Sequence, residues 1–259
     1  MIPLALPLAV PFLAAACLWL LRARPEARRA LSLGAAAAQT ALAAGLFAQV
    51  WSQGVIAQTM GGWPAPFGIT LVADALSAGL LLVASVIWAL ALVFGLADVS
   101  EDEERRGFSA LAHALMGGVA GAFLTGDLFN LYVWFEVTLI AAFGLMVLRS
   151  GPDVREAAIR YAAMNLVATI AMLLGVGLLY GATGALNMAE LAVALDGRGG
   201  EAAVLAPAAL LFFAFAAKAG FFPLFFWLPE SYHAPSQTVT ALFSALLTKM
   251  AVYALYRVF

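Results

Sequence analysis

Eight apolar runs, each long enough to cross a lipid bilayer, follow one another along this chain. A bilayer core requires about 20 apolar residues of helix, and every backbone polar group in lipid must find its partner within the protein. The sequence therefore predicts an all-α polytopic membrane protein with about eight transmembrane helices. The expected spans are roughly 3–21, 30–51, 69–97, 108–125, 128–148, 157–181, 204–228 and 236–259.

The composition predicts the same class. Of the 259 residues, 64% are hydrophobic and 11% are charged, whereas a soluble domain carries about 25% charged residues. The single cysteine, Cys17, excludes a disulfide within the chain, and the histidines at 113 and 233 are too far apart to suggest a metal site. We expect no metal, no cofactor and no nucleic-acid partner.

Loop arginines predict the orientation in the membrane, because cytoplasmic loops carry an excess of positive charge. Two arginines fall on one side, Arg198 and Arg257. The links on the other side hold Arg22, Arg24, Arg28, Arg29, Arg105, Arg106, Arg149, Arg155 and Arg160. That side is expected to be cytoplasmic, with both termini outside. An Ala-Ala-Ala-Cys sequence ending at Cys17 resembles a lipoprotein cleavage box, but the positive charges follow the first run, which favours a retained helix.

Three charged residues lie inside apolar runs: Glu136, Lys218 and Lys249. Each charge costs about 2.5–3.5 kcal/mol at the centre of a spanning helix on insertion scales. An acid and two amines on three segments suggest a buried path for an ion or a proton. In a proton path, a Glu136–Lys218 salt bridge would act as the gate. The alternatives are a static ion pair, and a Lys218 side chain that extends to the membrane surface.

The segments that carry Lys218 and Lys249 contain further residues that bear on the proposed path. Pro223 follows Lys218 by five residues and is expected to break the seventh helix by leaving the carbonyl of Ala219 without its donor. In the eighth span, helical periodicity places Lys249 near one face with Thr238, Tyr253 and Tyr256. An adjoining strip holds Thr240, Ser244 and Thr248, although hydroxyls also serve packing alone.

Other polar residues are secondary candidates. Tyr132 precedes Glu136 by one turn, and Tyr161, Asn165 and Thr169 form a stripe on the sixth span. His113 lies in the fourth span beside a Gly117–Gly121 pair at close-packing spacing. Asp74 opens the third span and is expected to cap that helix or to support the path. The link 182–203 predicts a short surface helix.

Several motifs carry a resemblance to a known family. They are Gly61–Ile69 (GGWPAPFGI), Thr125–Glu136 (TGDLFNLYVWFE), Leu178–Met188 (LLYGATGALNM), Lys218–Pro229 and Ala241–Lys249 (ALFSALLTK). Together they resemble the D-type subunit of Mrp-type multisubunit Na⁺/H⁺ antiporters, and more widely the antiporter-like subunits of complex I and membrane-bound hydrogenases. The motifs run from about residue 60 to the end, while the first two spans share only hydropathy with the family.

The resemblance implies roles for residues. A glutamate on the fifth helix, a lysine on the broken seventh and a lysine on the eighth carry protons in that superfamily, and they match Glu136, Lys218 and Lys249. His233 matches a histidine read as a proton relay toward the cytoplasm. The family fold has about fourteen helices in two inverted five-helix repeats. We expect residues 108–259 to form the first repeat and 1–107 a three-helix segment. Either another chain supplies the second repeat, or it is lost by truncation, or the protein no longer transports alone.

The sequence therefore predicts a transporter subunit, not an enzyme, in the membrane of a bacterial or archaeal cell. It would conduct H⁺ within a Na⁺/H⁺ antiporter together with other membrane subunits. One alternative is a proton-pumping subunit of a complex I-like or hydrogenase-type redox complex. The other is a non-transporting scaffold that holds such a complex together.

Overall fold

The computed structural model describes residues 2–63, 67–149 and 151–259. Positions 64–66 of the GGWPAPFGI motif lie outside the described residues. In chain order the elements are α1 (Leu6–Leu20), α2 (Pro25–Gln53), β1 (Ile56–Thr59), β2 (Thr70–Ala73), α3 (Ala75–Asp98), α4 (Glu101–Arg105), α5 (Phe108–Leu124), α6 (Leu128–Met146), α7 (Pro152–Thr183), α8 (Met188–Ala194), α9 (Ala202–Ala219), α10 (Trp227–Tyr232), α11 (Gln237–Leu242) and α12 (Thr248–Val258).

The helices confirm a polytopic membrane architecture. Within the described ranges, six helical segments are long and apolar enough to cross a membrane: α2, α3, α6, α7, α9 and the continuous stretch from α11 to α12. Helices α1 and α5 are apolar but shorter. The short helix expected within 182–203 is present as α8. Extended structure in the described ranges is limited to an antiparallel hairpin of β1 and β2 and two isolated β-bridges, Leu71–Thr125 and Asp127–Asn187.

Helix α5 forms the centre of the bundle, and 15 of its 17 residues are buried. Helices α1 and α6 pack along it. Glycines allow this close approach: a Cβ at Gly117 would lie 2.8 Å from the Phe12 ring, and one at Gly121 would collide with Trp134. The Gly117–Gly121 pair therefore has a packing role. The division of the chain at residue 107 stays a prediction.

Several span boundaries differ from the expected ones. The second helix begins at Pro25 instead of 30, where proline suits the first helical turn. The third begins at Ala75 instead of 69, because residues 70–73 pair with β1 and the Asp74 carboxylate accepts a hydrogen bond from the Ser77 N–H at 2.8 Å. A capping box of Asp74 and Ser77 fixes this helix start.

The predicted cause of the break after Lys218 is wrong. Helix α9 ends at Ala219, and Gly220 adopts a left-handed conformation with φ of 70°. The N–H of Phe221 then donates to the Ala216 carbonyl at 3.0 Å, which closes the helix end. Pro223 lies beyond this end, so it does not remove a donor from a continuous helix. A glycine turn makes the break, and α10 follows it.

The eighth span contains a π-helical turn at Phe243–Leu247 between α11 and α12. A π turn adds about one residue relative to regular α-helix, which rotates the following residues by about 100°. Thr238 is consequently rotated away from the face that Lys249, Tyr253 and Tyr256 share on α12, where all three border one hollow. The prediction that four residues share one face is therefore wrong for Thr238 and holds for the other three.

Arginines on the His233 side of the bundle tie the helix ends together. The Arg28 guanidinium, 1% exposed, forms salt bridges with Glu101 at 2.9 Å and Glu104 at 3.2 Å, and so fastens α2 to α4. Arg149 pairs with Glu103 at 3.1 Å. The hydrogen bond from Arg28 holds the pKa of the Glu101 carboxyl below its ordinary value.

Candidate functional site

Three neighbouring helices bring Glu136, Thr169 and Lys218 into one hydrogen-bonded chain. The Lys218 ammonium donates to Thr169 Oγ1 at 3.1 Å, and the Thr169 hydroxyl donates to Glu136 Oε1 at 2.7 Å. Glu136 lies at the middle of α6, Thr169 near the middle of α7, and Lys218 just before the end of α9. We call these three residues the relay triad.

The acid and the amine are not in direct contact. Among the described residues no salt bridge joins Glu136 to Lys218, so the predicted ion pair is replaced by a bridge through one hydroxyl. A hydroxyl can donate and accept at once, which a carboxylate or an ammonium cannot. Thr169 was expected only as a member of a polar stripe, and its central position follows from packing between α7 and α9.

Lys218 is 6% exposed. Its Nζ lies 5.3 Å from the centre of the Phe135 ring, a distance at which the ring face attracts a cation. Beside it lies a cavity with about 20 Å³ of space for the centre of a water molecule, and Thr138, Asn165 and Tyr161 supply polar lining. About 10–15 Å³ by this measure holds one water. Lys218 is therefore a buried amine with room for a water partner.

Lys249 lies outside this cavity. It is exposed on α12, and its Nζ donates to the Ser244 carbonyl at 2.6 Å and to Thr248 Oγ1 at 3.3 Å. With Tyr256 it borders an open hollow of about 420 Å³ whose wall includes Ala219, the neighbour of Lys218. The structure thus separates Lys249 from the relay triad and places it at a hollow bordered by α3, α9 and α12.

His233 lies at the opposite end of the bundle from Arg257 and is exposed, with Nδ1 2.9 Å from the Pro229 carbonyl. It borders a surface hollow of about 210 Å³ together with Glu230, Glu156, Asp153, Ala157 and Arg160. Arg160 forms ion pairs with both Glu156 and Glu230 and so joins α7 to α10. The structure does not bring His233 into contact with the relay triad.

The remaining predicted residues have contacts within the fold. The Tyr132 ring lies beside the Phe129 ring, with ring centres 5.7 Å apart and the planes tilted by 31°. The Tyr253 hydroxyl donates to the Phe123 carbonyl at 2.8 Å, and Thr240 Oγ1 donates to the Tyr232 carbonyl at 2.6 Å. These bonds hold α12 on α5 and the start of α11 on α10.

His113 is fully buried in the bundle. Its ring lies edge-on to Trp88 at 4.7 Å, and its two nitrogens face the backbone carbonyls of Ser109 at 2.8 Å and Ser32 at 3.3 Å. The contact to Ser32 links α5 to α2. The geometry favours a packing role and places His113 apart from the relay triad.

Asp74 joins two ends of the chain. Besides capping α3, its carboxylate accepts a hydrogen bond from Arg257 at 2.6 Å, and Arg257 also donates to the Tyr253 hydroxyl at 2.9 Å. Burial opposes ionisation of Asp74, but the hydrogen bonds from Arg257 and Ser77 outweigh it and hold its pKa below the ordinary value. Sequence analysis treated Arg257 only as a loop charge, since nothing in the local pattern links it to a residue 183 positions earlier.

A known family matches the half of the chain that carries this geometry. The family model described as NADH:quinone oxidoreductase/Mrp antiporter, TM matches residues 125–259. This region holds the whole relay triad, Lys249 and His233.

Curated relatives match nearly the whole chain. The D-type subunit of the Na(+)/H(+) antiporter of Bacillus subtilis (strain 168) is 39% identical over 254 residues, which are 98% of this chain and 52% of that protein. The protein of the same name from Alkalihalophilus pseudofirmus is 39% identical over 255 residues, with the same coverage of 98% and 52%. The chain therefore spans about half the length of the curated relatives it matches.

Solved structures share the fold. A chain of the Mrp complex from Dietzia sp. DQ12-45-1b is 34% identical with a TM-score of 0.92, over 98% of this chain and 48% of that one. A chain of the membrane-bound sulfane sulfur reductase, an archaeal respiratory membrane complex, is 33% identical with a TM-score of 0.91, over 97% and 52%. Because the family model covers more than half of the sequence, the chain belongs to the NADH:quinone oxidoreductase/Mrp antiporter transmembrane family.

Proposed function

We propose that this chain is part of a membrane subunit of a multisubunit Na⁺/H⁺ antiporter and conducts protons through the relay triad. The observation that carries the proposal is the unbroken hydrogen-bonded chain from Lys218 through Thr169 to Glu136. Charged side chains inside a membrane are costly and mark ion or proton paths. The relatives named as D-type subunits of Na(+)/H(+) antiporters support the choice of transport over catalysis.

The triad is arranged for a concerted proton transfer. When the Lys218 ammonium gives a proton to Thr169 Oγ1, the threonine hydroxyl gives its own proton to Glu136. Lys218 then becomes a neutral amine and Glu136 a neutral acid, while the hydroxyl is restored. Neither step leaves an isolated charge in a medium of low dielectric constant, where such a charge is expensive. The neutral amine can take its next proton from water in the adjoining cavity.

Lys249 is the proposed next station when the proton on Lys218 moves onward along the membrane instead of passing to Glu136. An ammonium that faces lipid near the membrane centre costs about 2.5–3.5 kcal/mol on insertion scales, so we expect protein to cover it. We propose that a further membrane segment, in the same or another polypeptide, packs against the hollow beside Lys249 and carries the path onward. Other membrane subunits of the complex are the proposed partners, with H⁺ and Na⁺ as the transported ions.

The arginine distribution supports an orientation in which the His233 end faces the cytoplasm and both termini face outward. In this proposal protons reach the relay from the His233 hollow, and the complex lies in the cell membrane. Tyr132 and Asn165 support the path from beside Glu136 and the cavity. Asp74 and Tyr253 support it indirectly by holding α12 in place.

A redox-driven proton pump is the second candidate function. The match to the sulfane sulfur reductase complex is nearly as close as the match to the Mrp complex, with TM-scores of 0.91 and 0.92. The same relay would serve either driver, because the relay triad moves only protons. Any redox groups would lie in partner subunits.

The test uses the complete complex in sealed vesicles. Lys218→Ala and Glu136→Gln should abolish cation exchange driven by a pH gradient while the complex still assembles. Glu26→Gln, a neutralisation at an exposed position on α2, is the matched control. Normal exchange in both relay variants would refute the proposal and favour a scaffold. Proton transport that requires an electron donor, with iron–sulfur proteins that co-purify, would favour the redox pump.

A further inference from the structure

The surface hollow beside His233 and the cavity beside Lys218 lie on the same two helices. Ala157 on α7 and Glu230 on α10 line the hollow, while Tyr161 on α7 and Trp227 on α10 line the cavity. On each helix the two positions are separated by three or four residues, which is about 6 Å along the axis or less. About one helical turn of protein therefore separates the two spaces.

The residues around that turn carry hydroxyls without partners. Ser231 Oγ and the Tyr232 hydroxyl are buried, and neither has a hydrogen-bond partner in the described part of the chain. The Tyr161 hydroxyl likewise makes no hydrogen bond to another described residue. A buried hydroxyl left unpaired costs about 1–3 kcal/mol, so such groups in native proteins are normally bonded to ordered water. Two such buried hydroxyls, next to a Tyr161 that lines the cavity, indicate a hydrated passage.

The Tyr161 and Tyr232 rings pack against the same two aromatic side chains, Trp227 and Phe243. Trp227 contacts both rings, with centre-to-centre distances of 5.8 Å to Tyr161 and 5.8 Å to Tyr232. Phe243 also contacts both, at 6.0 Å and 5.5 Å. The Trp227 indole N–H already donates to the Ala217 carbonyl at 3.0 Å, and the Phe243 ring has no polar atom, so neither side chain is a hydrogen-bond partner for the tyrosine hydroxyls. Water is the partner that remains.

We propose that Ser231, Tyr232 and Tyr161 form a hydroxyl inlet that carries protons from the His233 hollow to Lys218. The inference rests on the proposed proton relay and adds the residues that feed it. A proton passes from water in the hollow to a water bonded at Ser231 and Tyr232, and then past the Tyr161 hydroxyl to the cavity water. Each hydroxyl accepts one proton and releases its own, so no group is consumed.

The first experiment removes single oxygen atoms. Tyr161→Phe and Tyr232→Phe in the complete complex should slow proton uptake from the His233 side by about tenfold or more, as expected for loss of a positioned proton-transfer group. Assembly and thermal stability should not fall, because neither hydroxyl has a partner to lose among the described residues. Tyr180→Phe is the matched control, since Tyr180 lies on the same helix as Tyr161 and is 52% exposed.

Lys218→Ala in the same vesicles distinguishes the inlet from the relay. If Lys218→Ala abolishes exchange while Tyr161→Phe and Tyr232→Phe both exchange normally, the inlet is wrong and the relay stands. If Lys218→Ala also exchanges normally, the relay itself is wrong.

A second experiment tests hydration directly. In a Cys17→Ser background, Ser231→Cys should react with a small water-soluble thiol reagent added on the His233 side. Ser85→Cys should stay unreactive, because Ser85 is equally buried but bonded to the Leu81 carbonyl at 2.7 Å. Equal resistance of the two thiols would overturn the inlet.

Discussion

Thr169→Val is the substitution that isolates the central step of the relay. Valine has nearly the shape of threonine but lacks the hydroxyl, so it removes the acceptor of the Lys218 bond at 3.1 Å and the donor of the Glu136 bond at 2.7 Å. The helices should remain packed, because the side-chain volume is almost unchanged. Lys218 and Glu136 would then face each other without a connection.

The magnitude follows from the two lost bonds and the nearby cavity. A hydrogen bond to a charged group contributes about 1.5–3 kcal/mol. The cavity beside Lys218 has room for about one water, which can replace the bond on the lysine side but not the one at Glu136. One charge-assisted bond is therefore lost net. If that energy appears in the barrier to proton transfer, transport should slow by about 10- to 150-fold.

The assay is cation exchange driven by a pH gradient in vesicles that hold the complete complex. Thr169→Ser keeps the oxygen and should retain most of the activity. Thr183→Val lies on the same helix, where the threonine hydroxyl bonds the Leu179 carbonyl at 2.8 Å, and should behave as the wild type. Exchange by Thr169→Val within about twofold of Thr183→Val would refute the role of the hydroxyl as a bridge, since about 1.5 kcal/mol predicts at least about tenfold.

Three further predictions concern stability in detergent. Arg28→Ala should destabilise the protein by about 3 kcal/mol, a figure already reduced for the partial exposure of the carboxylates that lose their guanidinium partner. Arg29→Ala, at an exposed position, should change the stability little. Thermal unfolding measures both. Gly121→Ala should cost about 1–3 kcal/mol through overpacking, and Gly177→Ala, with open space around it, should not. Because Arg28 lowers the folded-state pKa of Glu101, the pair stabilises the fold above about pH 4.5, and this stabilisation is lost as the pH falls through the lowered folded-state pKa. Unfolding measured over a pH series should show the loss in the wild type and not in Arg28→Ala.

Sequence reasoning found the charged members of the site for a simple physical reason. A charge within an apolar run is conspicuous because it is costly, and this marked Glu136 and Lys218 without any knowledge of their contacts. It did not find that Thr169 separates them. The distance between two side chains on different helices depends on how those helices pack, and no local pattern records it.

The two wrong structural predictions have local causes. The predicted helix break after Lys218 relied on Pro223, whereas the helix ends at the left-handed turn of Gly220. The predicted face assumed an uninterrupted α-helix from Thr238 to Tyr256, and the π turn shifted Thr238 out of register with the residues of α12. The turn, Phe-Ser-Ala-Leu-Leu, contains neither proline nor glycine, so no residue type marks it in the sequence.

The π turn also divides one membrane segment into two surfaces that selection can act on separately. On its α11 side, Thr238 is fixed by two hydrogen bonds to Asp98, at 2.8 Å and 2.7 Å, so changes there must remain compatible with α3. Beyond the turn, the side of α12 that bears Lys249 and Tyr256 is released from that constraint. Substitutions on this outward side can therefore follow the evolution of whatever covers it, while the relay inside the bundle stays unchanged.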